Sequence, residues 1–437
     1  MQQNFRELLS KSILQSDIVK IFDYLLTIAV EEGASDIHFE PFENYCRIRL
    51  RIDGVLQELV QYPKTFHDSI ISKFKIESGQ MRPDEKRLPQ DARVSAITKT
   101  NKEIDLRANT LPTVWGEKLV MRIVDKSKKI PELKDLWLEW INSRILNKVL
   151  SYPNGIILNT GPTWSWKTTT LYSCLSEVNK TEVNITTFED PVENKMHGLN
   201  QSQVRADIGF TFLSGLRSVL RQDPDIIMVW EIRDRETLEM AMESAMTWHL
   251  VFSTIHTNSA VETITRVFNM GAQAFMLAGT FNLVIAQRLW RRVCPHCQQK
   301  IKVSWTQKYE VSRNTLRNFD KELLKRELML RGITQEQWSD YFVNGFVTCG
   351  SWKDPATWWV CPMCHGSWYK WRVWFYEMMD YNDSVKEMLL AGKSAFEIGK
   401  YALSHGMIDL ERDGIFKIIE WYTTLDEVYR FVKIQEI

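Results

Sequence analysis

Polar and apolar positions follow two different periods along this chain, and the changes of period mark its parts. From Asp17 onward the apolar residues Ile18, Ile21, Leu25 and Ile28 recur at the spacing of one buried helical face. Between Tyr45 and Ile52 the period falls to two. Arg47, Arg49 and Arg51 alternate with Ile48, Leu50 and Ile52, which predicts a strand with its arginines on one face. Asp53-Gly54 is a hairpin-turn pair, and Val55 to Val60 can return as the partner strand. Ile104 to Ala108 and Lys118 to Val124 read as two more strands. Residues 1–124 are thus expected to form an α+β domain. The charged, proline-bearing stretch 125–135 follows as a linker.

Beyond the linker, short apolar strands alternate with helices. Gly155 to Thr160, Asn184 to Phe188, Ile226 to Val229 and Leu250 to His256 read as strands; Lys167 to Val178 and Thr237 to Met246 read as helices. Such alternation predicts an α/β domain with a parallel sheet, here 136–437, with an insertion at 290–370 and a helical end at 376–437.

Composition narrows the function classes. The 437 residues carry 55 Lys+Arg against 55 Asp+Glu, so binding of nucleic acid or membrane by bulk charge is excluded. The best apolar run, 272–289, is broken by Gln273, Thr280, Asn282 and Gln287, and no stretch supplies the roughly 18 residues of a spanning helix. The N-terminus lacks a signal-peptide core, so a cytoplasmic protein is expected. Two counts stand out: seven cysteines, and 17 tryptophans against 19 glycines.

The segment Gly161-Pro162-Thr163-Trp164-Ser165-Trp166-Lys167-Thr168, followed by Thr169, lies between a predicted strand and a predicted helix. It matches the phosphate-loop pattern G-x-x-x-x-G-K-[ST] except that Trp166 replaces the second glycine. That loop works by turning bare backbone N–H groups toward phosphate, so an indole there predicts poor binding as written. A chance match on a strand–helix turn is the bland alternative. Further strand ends weigh against it: Glu189-Asp190 after one strand, Trp230-Glu231 after another, and His256-Thr257-Asn258 after a third. Carboxylates so placed can order a divalent ion or polarise a water, though singly they also cap helices.

Cys294-Pro-His-Cys297 and Cys361-Pro-Met-Cys364 have the spacing of two zinc knuckles. In a reducing compartment such pairs hold Zn²⁺ rather than disulfides, and four thiolates leave no open position, so the metal would be structural. The alternative is four reduced thiols on loops. The charged stretch 320–331 between the pairs is expected to project as a helix.

At this point the chain resembles the secretion-ATPase superfamily, in particular the type II secretion and type IV pilus-assembly ATPases. GPTWSWKTTTLYS resembles its Walker A, residues 185–193 its acidic box, DPDIIMVWEIRD its Walker B and TWHLVFSTIHTN its histidine box. Upstream, ASDIHFEP, RIRLRIDG, RLPQDAR and DLRANTLPTVWGEKLVMRI match its first domain; downstream, CPHC and CPMC match its tetracysteine element. The resemblance implies a RecA-like P-loop ATPase domain behind a PAS-like α+β domain, with a tetracysteine zinc insertion. It implies ATP and Mg²⁺, with Gly161, Pro162, Thr163, Ser165, Lys167, Thr168 and Thr169 around the phosphates. It gives Glu231 the role of base and Glu189 a share in ordering Mg²⁺ and water. Arg217 and Arg221 would lie beside the nucleotide, and His249 and His256 would sense its γ-phosphate. Arg93 and Arg107 would bring charge from the first domain. Cys294, Cys297, Cys361 and Cys364 would hold Zn²⁺. The implied assembly is a homo-hexamer in the cytoplasm, peripheral to the inner membrane through a polytopic platform protein, with no nucleic acid as partner. With the first predicted helix starting at Ile18, the extra docking domain of many relatives is expected to be absent or simplified.

Trp137, Trp164, Trp166, Trp230, Trp248, Trp368, Trp371, Trp374 and Trp421 stand where the family pattern has glycine, whereas Trp115, Trp140, Trp290, Trp305 and Trp338 do not. The expectation is a codon, UGA, that some bacterial codes read as glycine and others as tryptophan. A genuine pseudo-ATPase is the second reading.

Overall fold

A helix that the periodicity did not announce, α1 (Phe5–Leu14), opens the chain, with Leu9 and Ile13 buried. The expected helix follows as α2 (Ile18–Glu31), and the Asp17 carboxylate caps it by accepting the Lys20 backbone N–H. The structure is a computed structural model and describes residues 5–125, 129–138, 140–162, 165–303, 306–318, 321–351 and 360–431. It divides into two units, Met1–Lys129 and Ile130–Ile437.

The first unit is a six-stranded antiparallel sheet: β1 (Ala34–Pro41), β2 (Tyr45–Ile52), β3 (Val55–Pro63), β4 (Gln90–Ile97), β5 (Glu103–Thr113) and β6 (Gly116–Asp125), in the order β3-β2-β1-β6-β5-β4. One face buries Ile37, Phe39, Ile48, Leu50, Leu106 and Leu119 with α2 and with Phe74 of α3 (His67–Ser78). The other face explains the alternating arginines. Glu40 accepts hydrogen bonds from Arg47 and Arg49 and pairs with Lys118, while Asp36 lies between Arg51 and Arg122. Burial pushes the Glu40 carboxyl up, but these cations hold it down at about 2.

The second unit contains β7 (Gly155–Thr160), β8 (Ile185–Glu189), β9 (Asn200–Gln203), β10 (Ile226–Val229), β11 (Leu250–Ile255), β12 (Phe281–Val293), β13 (Gln298–Lys302), β14 (Phe346–Gly350) and β15 (Tyr369–Asp380). Seven strands form one sheet in the order β15-β12-β7-β11-β10-β8-β9, parallel except for β15. β7, β8, β10 and β11 are buried at every residue, as expected of strands covered by helices on both faces. Those helices include α4 (Trp140–Leu150), α5 (Lys167–Val178), α6 (Phe212–Val219), α7 (Arg235–Met246) and α8 (Ala260–Asn269). β12 runs through the apolar stretch that Asn282 and Gln287 interrupt. The described part of the stretch read as a linker joins this unit from Ile130 onward. The Pro131 carbonyl accepts from Ser173 of α5, and Leu136 is fully buried.

The inserted charged helix, Lys321–Leu330, does not project. Glu327 and the following Arg331 are buried and paired with each other, Arg331 also reaches Asp413, and Leu323, Leu324 and Leu328 pack on the core. Lys321, Glu322, Lys325 and Arg326 stay exposed while Glu327 turns inward to Arg331, a division that a count of charged residues cannot show. Among the described residues no helix is long and apolar enough to cross a membrane.

The backbone carries an unusual load. Trp137, Trp166, Trp248, Trp368, Trp371 and Trp421 all have positive φ, between 57° and 71°. Among the described residues, the other non-glycine positions at positive φ are Ser16, Asp53, Asn101, Asp223 and His365, mostly types that tolerate it. A left-handed L-residue costs about 1–2 kcal/mol, so six such tryptophans approach the whole net stability of a domain, roughly 5–15 kcal/mol.

Candidate functional site

In a parallel sheet the loops after the strands gather at one edge. After β7 the chain turns at Gly161, where a Cβ would lie 2.5 Å from the Gln287 carbonyl oxygen and 2.7 Å from Ser165 Oγ. Ser165 is buried and donates to the Pro162 carbonyl at 2.9 Å. Thr163 and Trp164 lie outside the described residues. Lys167 opens α5 and folds back on the loop, donating to the Gly161 carbonyl at 2.7 Å and the Pro162 carbonyl at 3.3 Å. Burial lowers its ammonium to about 8; Glu231 opposes the shift and Arg288 adds to it. The lysine therefore lies in the loop as a partly desolvated cation held on two main-chain carbonyls. Thr168 and Thr169 form the first turn of α5 behind it.

Two strand ends complete this edge. Glu231, just beyond β10, is clamped by His256 from the end of β11 at 2.9 Å and by Arg233 at 2.7 Å. A carboxylate with a histidine on one oxygen and a guanidinium on the other is held in one orientation, as a base directed at a water must be. Glu189, at the end of β8, has a different setting. It is fully buried and accepts from Tyr172 of α5, from Thr187 at 2.6 Å and from Gln201 of β9 at 3.0 Å. Burial, then the Glu189 charge, raises the Tyr172 hydroxyl far above its ordinary value, so it remains a donor. Three donors in a dry pocket bind this carboxylate to the protein and not to the solvent-facing edge.

Two sequence-predicted groups fall elsewhere. His249 precedes β11, at the opposite end of the sheet from the loop, and its Nδ1 lies 2.8 Å from the Ser244 carbonyl. Six strand residues at about 3.3 Å each separate the two ends. Arg217 and Arg221 are exposed in the last turn of α6 and just past it. There the neighbouring Gln222 carbonyl accepts from Asn184 at the start of β8. None of the three shares an edge with Lys167 within one chain. His256 does.

In the first unit, Arg93 and Arg107 are register partners across β4 and β5, and Arg107 pairs in register with Arg122 of β6. These three arginines line a 510 Å³ cavity with Asp36, Asp91 and Asn109.

Sequence reasoning missed the support beneath the loop. Gln287 of β12 is fully buried; its amide donates to the Ser165 carbonyl at 2.5 Å and its carbonyl accepts from Thr170 at 2.7 Å and Asn159 at 3.0 Å. Arg288 beside it reaches the Asn258 carbonyl at 2.6 Å, and its Nη1 would lie 3.1 Å from a Cβ at Gly161. The available signal was a Gln-Arg pair inside an otherwise apolar strand.

One side chain opposes the site. The Trp230 indole N–H donates to Thr168 Oγ1 at 3.1 Å, where the lone pairs of a magnesium-holding hydroxyl would be needed. The residues fit a magnesium ion only without that indole. The cysteines fit zinc directly. All four are buried, their sulfurs lie within 4.8 Å of one another, and the pairs 294–361 and 297–364 stand 3.9 and 3.6 Å apart. A tetrahedral Zn–S length of about 2.3 Å gives edges of roughly 3.8 Å. Burial raises the Cys294 and Cys297 thiols. Backbone N–H groups of Cys364 and Met363 outweigh burial at Cys361 and hold it at about 7.

Comparison with known proteins places the chain in a family. The family model for type II/IV secretion system proteins matches residues 13–430. The type IV pilus assembly ATPase PilB of Myxococcus xanthus is 39% identical over 420 residues, 96% of this chain and 69% of that protein. PilB of Pseudomonas aeruginosa is 39% identical over 416 residues, 95% and 68% of the two chains. The type II secretion system protein E of Aeromonas hydrophila is 36% identical over 428 residues, 97% and 78%. Among solved structures, the Legionella pneumophila ATPase DotB matches with a TM-score of 0.64 at 18% identity over 94% of each chain. The pilus retraction motor PilT with bound ADP matches with 0.56 at 23% over 94% of this chain and 96% of that one. These two structures speak to the fold alone.

Proposed function

The chain belongs to the type II/IV secretion system protein family, and from that premise we propose that it hydrolyses ATP to power assembly of a type IV pilus. One observation carries the reading: a desolvated Lys167 seated in a strand–loop–helix turn, with the clamped Glu231 carboxylate on the same sheet edge. The partly desolvated ammonium gains a strong counter-charge when a β- or γ-phosphate enters. Glu231 then orients the attacking water, and His256 on its other oxygen registers whether the γ-phosphate is present. Gln287 holds the Ser165 carbonyl and so keeps the loop open to phosphate. A magnesium ion at Thr168 would neutralise phosphate charge. Glu189 acts by position, tying α5 to β8 and β9.

Six copies form a ring, in which the exposed Arg217 and Arg221, together with His249, face a nucleotide of the neighbouring subunit. Closure of the first unit about residues 125–135 brings Arg93 and Arg107 to the developing charge and supplies the mechanical stroke. A polytopic membrane platform protein receives it, with the motor on the cytoplasmic side. The 36% identity to a type II secretion protein keeps a pseudopilus as the alternative cargo. A zinc-bearing scaffold without turnover is the second reading, favoured by the Trp230 indole on Thr168. ATPase assays on protein carrying glycine at 164, 166 and 230 decide between them. Turnover abolished by Lys167→Ala supports the motor; no turnover, and no effect of that substitution on nucleotide binding, leaves the scaffold.

A further inference from the structure

Helix C-termini in the second unit repeat one motif. A residue in left-handed conformation follows the cap, and the next N–H reaches back to the carbonyl three positions before the helix ends. At α8 this residue is Gly271, with φ 98° and the Ala272 N–H on the Val267 carbonyl. After Lys321–Leu330 it is Gly332, with Ile333 reaching Leu328. After Asp383–Leu390 it is Gly392, with Lys393 reaching Met388, and after Ala395–Ser404 it is Gly406, with Met407 reaching Ala402. Two helices make the same closure with tryptophan. At α7 it is Trp248, with His249 reaching Ser244, and after Leu410–Ile419 it is Trp421, with Tyr422 reaching Lys417. Their φ values, 68° and 66°, match those of Gly332 and Gly392 at 65° and 70°.

From this we infer that the tryptophans at positive φ, together with Trp164, Trp230 and Trp374, are glycines in the protein that the cell makes. Their indoles make only peripheral or obstructive contacts: Trp137 meets Tyr422 edge-on, Lys300 lies over Trp421, and the Trp230 N–H occupies Thr168 Oγ1. Trp248, Trp368 and Trp371 are exposed, and Trp166, in left-handed conformation at the N-cap of α5, makes no capping bond. Trp166 and Trp374 meet edge to face at the phosphate edge, ring centroids 5.6 Å apart, with Arg372 over the first. Removing both rings clears the approach to the loop.

Trp290 is the control. It is buried in β12 against Phe375, and the absent Cβ of Gly414 makes its room: a Cβ there would lie 2.6 Å from the indole. Trp115, Trp140 and Trp338 likewise have no positive φ. Two codons account for two classes of tryptophan. UGG means tryptophan throughout, whereas UGA is glycine in one code and tryptophan in another, so one decoding choice changes a subset and leaves the rest.

Peptide mass spectrometry on protein purified from its own cells tests this. Glycine at 166, 248, 371 and 421 with tryptophan at 290 is expected. Tryptophan at any of those four positions, or glycine at 290, overturns the inference. A second test is independent of nucleotide chemistry. In the chain as written, Trp248→Gly and Trp421→Gly, both remote from Lys167, should each raise the melting temperature by several degrees. A fall in both would mean that the indoles are native, whatever the ATPase assay shows.

Discussion

The cysteine cluster and the phosphate loop lie in the same unit but are built from different parts of the residue. At the cluster, side chains do the binding: four sulfurs already within 4.8 Å of one another need only a metal. At the loop the main chain does it, and side chains matter chiefly by their absence. The cluster is complete in the chain as written; the loop has an indole at its left-handed turn and another on Thr168. A site made of side chains survives any change that spares its spacing. A site made of backbone is lost when a Cβ enters it, even with Lys167 and Glu231 in place.

The sharpest way to break this comparison is at the metal. Chelation, or Cys361→Ser, should release one equivalent of zinc and open the segment from Cys294 to Cys364. Structural zinc is worth on the order of 10 kcal/mol of local stability. Hydrogen exchange should rise in that segment while nucleotide affinity stays unchanged. Unaltered exchange after metal loss would make the cysteines merely packed thiols.

Next in size is the contrast between two acidic residues. In the glycine-bearing protein, Glu231→Gln should lower kcat by about 10²–10⁴-fold with nucleotide still bound. Glu189→Gln should chiefly cost stability, about 1–3 kcal/mol, because it places an amide N–H₂ among three donors. Equal losses of kcat would move Glu189 into the chemistry.

The same contrast explains what could be read in advance. Elements with strong period and clear punctuation matched residue for residue: Gly155–Thr160 as β7, Lys167–Val178 as α5, Tyr45–Ile52 as β2. The arginine alternation of β2 was visible, but its partners Asp36 and Glu40 sit on β1, whose short alternation Asp36-Ile37-His38-Phe39-Glu40 was not read as a strand. The charged helix before Arg331 was misplaced because its partner Asp413 is distant in sequence. His249 and His256 belong to one motif, yet β11 separates them, so the two lie at opposite ends of the sheet. Gln287 was legible only as an interruption of an apolar run; its role depends on the register of β12 beside β7, where Ala286 pairs with Thr160.

Gln287 gives a smaller prediction. Gln287→Leu keeps the volume but leaves the Ser165 carbonyl and the Thr170 hydroxyl without a partner. Nucleotide affinity should fall roughly tenfold, the size of one or two buried hydrogen bonds, with zinc content unchanged. A weakened cluster with intact nucleotide binding would invert the assignment of support.

The smallest expected effect is a pH dependence that belongs to the loop alone. Lys167 is lowered from its ordinary 10.5 to about 8 by burial, so the empty loop begins to lose its charge near pH 8. Phosphate favours the charged form, and binding above that pH must therefore recruit a proton. ATP affinity should be flat below pH 8 and weaken by up to about tenfold per unit above it, with up to one proton taken up as measured by calorimetry in buffers of different ionisation heat. The unfolded chain holds that proton up to about 10.5, so the ligand-free protein should gain stability between the two values, the reverse of the affinity trend. Lys167→Arg, charged throughout, should bind less well yet lose both slopes. If the slopes persist in that variant, the titrating group lies elsewhere, and the lysine is not the desolvated cation that gives this loop its hold on phosphate.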